Sequence, residues 1–268
     1  MKAATISRSR QMNTSSSPPR VSWDYTEHAS DYDKRADYSS DAIRNLLKAI
    51  GSTLSRTVAD IGAGTGKLTK ELLKYGLTVR CVEPNDAMRT IGIRNTKGKS
   101  VTWSVGTGET TGLPTGSVYA VFFGSSFNVV DQGLALTEAC RILVSHGWFA
   151  CMWNHRNLDD SIQRRIESII KFSIPGYSYG SRRDDPTHII SASGYFARAR
   201  SIEETFIWRT PKLDVLAAWK SHATLRRQAG SDSSFRQIIQ EIASYLDELP
   251  EVIDVPYATR IYFAQKSD

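Results

Sequence analysis

Val58-Ala59-Asp60-Ile61-Gly62-Ala63-Gly64-Thr65-Gly66-Lys67-Leu68-Thr69 decides how the rest of this chain is read. An apolar, strand-like run ends on an acid and passes into a loop with glycine at every second position. A helix-like segment, Lys67 to Lys74, follows. Glycines let backbone N–H groups and a helix N-terminus approach a polar ligand closely. A second strand-like run, Leu77 to Val82, ends on Glu83, seventeen residues past Gly66. A carboxylate there can accept hydrogen bonds from both hydroxyls of a ribose. Strand, loop, helix, strand and acid in that order point to a nucleotide-like ligand far more strongly than the glycines alone.

At 268 residues the chain suits one large α/β domain with room for an insertion. Hydrophobic residues make up 40%, and no apolar run of membrane-spanning length occurs. The formal charge is +6, but Lys2, Arg8, Arg10 and Arg20 sit in an acid-free tail, so the body carries only about +2. That balance argues against nucleic-acid or membrane partners. Cys81, Cys140 and Cys151 are dispersed, as expected of reduced thiols in a cytoplasmic protein, and no metal-ligand spacing occurs. Residues 1–10 lack the apolar core of a secretory signal.

Residues 1–20, rich in Ser, Thr, Arg and Pro, read as a disordered basic tail before a single domain over 21–268. From Trp23 to Tyr38, aromatic residues recur at helical spacing, which predicts a lid helix over about 23–38 packed on the core or over the loop's ligand. Asp41 can cap a helix through Ile50. Strands are then expected at Ser100–Val105, at the wholly apolar Val118–Phe123 and at Trp148–Trp153, with a helix over Leu134–Leu143. This alternation is that of a parallel sheet with helical crossovers. An insertion over about 154–200 follows, with an amphipathic helix from Asp159 to Phe172 and an aperiodic stretch suited to shaping a pocket. A helix near Ser193–Arg198, a strand at Glu203–Trp208, helices within Lys212–Gln228 and Ser233–Leu249, and a last strand at Thr259–Gln265 complete the chain.

These residues resemble the class I S-adenosylmethionine (SAM) dependent methyltransferases of small-molecule type, over roughly residues 25–265. Asp60-Ile61-Gly62-Ala63-Gly64-Thr65-Gly66 matches the family's first motif, and Glu83 its ribose-binding acid. Gly106-Thr107-Gly108-Glu109 with Leu113-Pro114 is similar to its adenine loop. A nicotinamide fingerprint would space the glycines GxGxxG, whereas this loop reads GxGxG. The resemblance implies a Rossmann-like, doubly wound, seven-stranded sheet, mostly parallel with an antiparallel last strand. It implies SAM as cofactor and S-adenosylhomocysteine (SAH) as product. Cofactor contacts then fall to Asp60, Gly62, Gly64, Glu83, Asn85, Met88, Thr107, Gly108, Glu109 and Ser125, with Tyr25, Tyr32 and Arg35 from the lid. Two departures stand out. Tyr119 occupies a strand-four position where relatives often carry Asp, and Asn128-Val129-Val130 replaces a frequent His-Trp-Phe.

The expected reaction is methyl transfer to a small-molecule acceptor, with Asn128, Tyr177, Tyr179 and His188 as catalytic candidates and Trp153, Asn154 and His155 beside them. His146 and His222 read as surface or packing residues, and Arg182-Arg183 as a solvated turn or an attractor of anions. The missing His at 128 and the tyrosine-rich lid keep an alternative open: cyclisation of SAM to azetidine-2-carboxylate with release of methylthioadenosine. A non-catalytic SAM-binding protein is the second alternative. Either a monomer or a homodimer is compatible with the sequence.

Overall fold

Val118–Gly124 is apolar at nearly every position because both its faces are covered. In the computed structural model, which describes residues 24–52 and 55–267, it forms β4 at the middle of a seven-stranded sheet. The other strands are β1 (Thr57–Ile61), β2 (Thr78–Val82), β3 (Val101–Ser104), β5 (Leu143–Arg156), β6 (Arg200–Pro211) and β7 (Val252–Gln265). Their order is β3-β2-β1-β4-β5-β7-β6. β1 pairs in parallel with β2 and β4, β2 with β3, and β4 with β5. β7 runs antiparallel to both β5 and β6. The expected mixed sheet, with one antiparallel strand that is last in the chain, is therefore found.

Helices cover the sheet on two sides: α1 (Ala29–Asp33), α2 (Ser40–Ala49), α3 (Lys67–Lys74), α4 (Asp86–Asn95), α5 (Gln132–Ile142), α6 (Ser161–Ser173), α7 (Thr187–Ala192), α8 (Lys212–Lys220), α9 (Ala223–Gln228) and α10 (Asp232–Asp247). One core packs Ile43, Leu46 and Leu72 against Val58 and Phe122. A second, on the opposite face, gathers Phe123, Phe127 and Phe149 at centroid separations of 5.2–5.7 Å under α5. Each such ring stabilises the fold by roughly 1.5–3 kcal/mol when removed from water. A third core lies apart from the other two, with Ile170 of α6, Trp219 of α8 and Ile242 of α10 against Val255.

Several boundaries differ from expectation for local reasons. Residues 24–38 are not one helix but a 3-10 turn, Thr26–His28, and the five-residue α1. The backbone opens after it because the carbonyls of Ala36 and Asp37 accept hydrogen bonds from the Asn154 side chain. α2 is capped by Ser39, whose hydroxyl accepts from the Ala42 N–H, rather than by Asp41. The helix expected near Ser193 lies earlier, at α7, where Pro186 supplies a helix-compatible φ at its start. β5 continues three residues beyond Trp153, paired through to Tyr257. The tail and Trp23 lie outside the described residues.

Candidate active site

In an open parallel sheet the carboxyl ends of the strands face a crevice where the strand order reverses, here between β1 and β4. β1 delivers Asp60 there fully buried. Its Oδ2 accepts from the Thr69 hydroxyl at 2.7 Å, while its Oδ1 is buried with no hydrogen-bond partner. Burial, with Glu83 adding to it, pushes the Asp60 carboxyl up to about 7.

The loop turns sharply at Gly62, with φ +66°, because its N–H and that of Ala63 both donate to the Val82 carbonyl. A Cβ at Gly62 would lie 2.6 Å from the Ser126 Cβ. At Gly64, φ +58°, a Cβ would press on the Met88 methyl at 3.2 Å and face Tyr32 at 3.9 Å. At both positions the missing Cβ lets a neighbouring side chain pack directly on the loop backbone. Glu83 is buried and accepts from the Gly64 N–H at 2.8 Å through Oε2 and from the Asn85 N–H at 2.9 Å through Oε1. Burial raises its pKa against those two donors. Each oxygen retains a further lone pair toward the loop. Asn85 caps α4 by accepting from Met88 N–H and donates to Asp24 and Thr26 of the lid segment.

β4 ends at Ser125, which adopts φ +59° and shares a 2.9 Å hydrogen bond with the Tyr38 hydroxyl. A non-glycine residue in that region is strained, a feature frequent at functional sites. Tyr25 and Tyr32 stack edge-to-face at 5.4 Å, and the Arg35 guanidinium lies 4.3 Å over the Tyr32 ring. Arg35 also donates to the Ser221 hydroxyl and carbonyl, at 2.9 and 2.6 Å. Thr107, Gly108 and Glu109 form a turn after β3. Gly108 is buried against Val130 and Phe123, and Glu109 accepts from the Asp131 N–H at 2.7 Å.

A single cleft joins this loop to a wall built by β5 and the insertion. Tyr32, Arg35, Tyr38, Asp60, Gly62 and Ser125 line one half. His155, Arg156, Tyr179, Arg182, Arg183 and Trp219 line the other, with His222 and Tyr257. Burial and the guanidinium charges of Arg260, Arg183 and Arg182 lower the His155 imidazole to about 4, so it is neutral near pH 7. His222, expected at the surface or in packing, is half-buried, stacked 5.0 Å from Trp219 and open to the cleft. Its Nδ1 accepts from the Leu225 N–H, which leaves the proton on Nε2.

Among the catalytic candidates, Tyr179 lines the cleft, whereas Asn128, Tyr177 and His188 do not. Asn128 accepts from the Trp153 indole at 2.9 Å. Tyr177 belongs to the third core, and His188 is exposed with Nδ1 3.0 Å from the Asp185 carbonyl oxygen. Arg156, Trp219, His222 and Tyr257 escape a reading by motif, because each lies in a different element and only the fold brings them together. The one usable signal was the strand expected to end at Trp153, which leaves 154–156 at the sheet's carboxyl end.

A family model described as a methyltransferase domain matches residues 59–151. The uncharacterized methyltransferase Rv3342 of Mycobacterium tuberculosis is 37% identical over 123 residues, 46% of this chain and 48% of that protein. The ubiquinone/menaquinone biosynthesis C-methyltransferase UbiE of Caulobacter vibrioides is 27% identical over 158 residues, 52% of this chain and 62% of that one. The chain thus spans about half the length of Rv3342 and somewhat more of UbiE. The Haemonchus contortus phosphoethanolamine N-methyltransferase 2 solved with S-adenosyl-L-methionine shares the fold, with a TM-score of 0.51 at 13% identity over 90% of this chain and 57% of that one. The glycine loop and Glu83 thus lie within the stretch that is similar to methyltransferase domains, and the β3-β2-β1-β4-β5-β7-β6 sheet is shared with solved methyltransferase structures.

Proposed function

We propose that this chain transfers the methyl group of SAM to a small-molecule acceptor held in the same cleft. One observation carries this reading: the glycine loop and the wall of β5 and the insertion line one cleft. SAM fits the loop half on three features. The orphaned, buried Asp60 Oδ1 suits an ammonium group, the loop backbone that Gly62 and Ala63 present to the cleft suits a chain laid close to it, and the spare lone pairs of Glu83 suit a diol. Asn85, Met88, Thr107, Gly108 and Glu109 would border the adenine, with Ser125, Tyr25, Tyr32 and Arg35 at the methionine end.

When bound, SAM supplies a sulfonium-activated, electrophilic methyl carbon. The chain's own residues then have to align a nucleophile and exclude water. Lid residues 24–38 close the loop half, and Trp219 and Tyr257 wall the other. For an acceptor bearing a proton, neutral His155 can accept a hydrogen bond from it, but a group lowered to about 4 is a weak base. Alignment therefore contributes more than proton removal. Cyclisation of SAM leaned on Asn128, whose carbonyl is engaged by Trp153 outside the cleft, and no contact favours it.

Calorimetry with SAH, then mass spectrometry of mixtures with SAM and a panel of small acceptors, tests the proposal. Low-micromolar SAH binding and acceptor-dependent SAH production are expected. Lack of SAH binding overturns the cofactor reading, and methylthioadenosine formed from SAM alone overturns the reaction.

A further inference from the structure

The wall opposite the glycine loop is unusually cationic for a partly buried surface. Arg156 is nine-tenths buried, with its guanidinium 4.3 Å over the Trp219 ring, and its Nη1 has no hydrogen-bond partner. Its one acid, Glu167, lies 3.4 Å from Nη2 and is also 3.3 Å from Lys171. Arg183 stacks 4.2 Å over the Tyr179 ring and, among the described residues, donates only to the Arg156 carbonyl, at 3.3 Å. Arg182 has neither a hydrogen bond nor an ion pair among the described residues. The Tyr179 hydroxyl is also buried, on the side of the cluster that faces Glu167.

Buried donors without acceptors are rare in folded proteins, because each forfeits its hydration with nothing in exchange. Three guanidiniums facing one acid, itself shared with a lysine, leave an excess of positive charge that repels itself. The stacking on Tyr179 and Trp219 fixes two of the three forks in place. Fixed planar forks match a carboxylate or phosphate in two parallel hydrogen bonds, and little side-chain freedom remains to be lost on pairing.

We propose that the acceptor carries an anionic group, a carboxylate or a phosphate, received by Arg182, Arg183 and the free edge of Arg156. The proposal rests on the methyl-transfer reading for the other half of the cleft. The anion could instead be the cofactor's own carboxylate, and the test separates the two sources.

Benzoate and benzamide have the same shape and differ in charge, and phenyl phosphate offers the second anion. Binding of each to SAH-loaded protein is measured by calorimetry, in the wild type and in Arg182→Gln/Arg183→Gln. Either anion should bind at least about tenfold more tightly than benzamide, the worth of one charge-assisted hydrogen bond. That preference should fall below about threefold in the double variant, with SAH affinity unchanged. Equal binding of benzoate, phenyl phosphate and benzamide, or no binding of either anion, overturns the proposal. So does a double variant whose SAH affinity falls by the same factor, since the guanidiniums would then serve the cofactor. Both substituted residues lie in a partly exposed 3-10 turn, Gly180–Arg183. Should the variant nevertheless misfold, the wild-type comparison decides alone. A wild type that fails to bind SAH fails the methyl-transfer reading instead.

Discussion

Asp60 is held in the cleft in a form that favours ligand over stability. Its carboxyl, at about 7 in the folded chain against 3.8 ordinarily, binds more protons folded than unfolded between those values. The unliganded protein therefore loses stability as pH rises from about 4 through 7. Asp60→Asn mimics the protonated group and escapes that loss, so its urea midpoint at pH 8 should exceed that of the wild type. The same change removes the acceptor expected to face the cofactor's ammonium. SAH affinity should fall about 10- to 100-fold, in line with 1.5–3 kcal/mol for a hydrogen bond to a charged group. In the wild type an ammonium beside Asp60 draws off its proton, so SAH binding should weaken below pH 7 and release protons near it. Calorimetry in buffers of different ionisation enthalpy reads that release. An affinity flat from pH 6 to 8, or an Asn variant that binds SAH as well as the wild type, rules out the contact.

Elements meet more tightly in some places than propensity would allow, and α4 against β3 is the clearest. Gly92 lies inside α4, where alanine would gain roughly 1 kcal/mol of helix propensity. A Cβ there, however, would meet the Trp103 ring at 2.2 Å. The ring cannot swing away freely, since its indole N–H donates to the Thr96 hydroxyl at 3.0 Å and it also borders Gly66. Overpacking of this kind costs about 1–3 kcal/mol, so the clash wins. Gly92→Ala should lower the urea midpoint, and adding Trp103→Leu should recover most of the loss. A single variant more stable than the wild type would show that the helix can slide. This constraint was not legible in the sequence, where Gly92 reads only as a weak point in a helix. By contrast, the turn from Asp60 to Gly66 between β1 and α3 was legible, because its residues are neighbours in the chain and its geometry is backbone geometry. Glu83 was legible for the same reason, closing the next strand. The wall was not. His222 reaches the cleft because the helical run 212–228 breaks at Ser221, and no periodicity announces that break.

The whole molecule is tied across the cleft by its N-terminal lid. Residues 24–38 bond to α4 through Asn85 with Asp24 and Thr26, and through Asn95 with Asp33. They bond to β5 through Asn154 and to the α8–α9 break through Arg35 and Ser221. Lys34 lies 3.7 Å from Asp214 of α8, an exposed pair worth little by itself. The segment therefore joins the sheet to the third core, and on the proposed reading of the cleft ligand exchange opens it. Arg35→Gln should raise the dissociation rate of SAH about tenfold and Ser221→Ala about threefold, since the latter keeps the bond to the carbonyl. Stopped-flow fluorescence measures both rates. Hydrogen exchange should quicken in residues 24–38 and in α9, with β1, β4 and β5 unchanged. The pairing of the two variants decides what Arg35 does. If Ser221→Ala leaves the rate untouched while Arg35→Gln raises it, the guanidinium acts on the ligand directly and not as a clasp. If exchange quickens throughout the sheet, the contact belongs to global stability, and the lid opens by some other route.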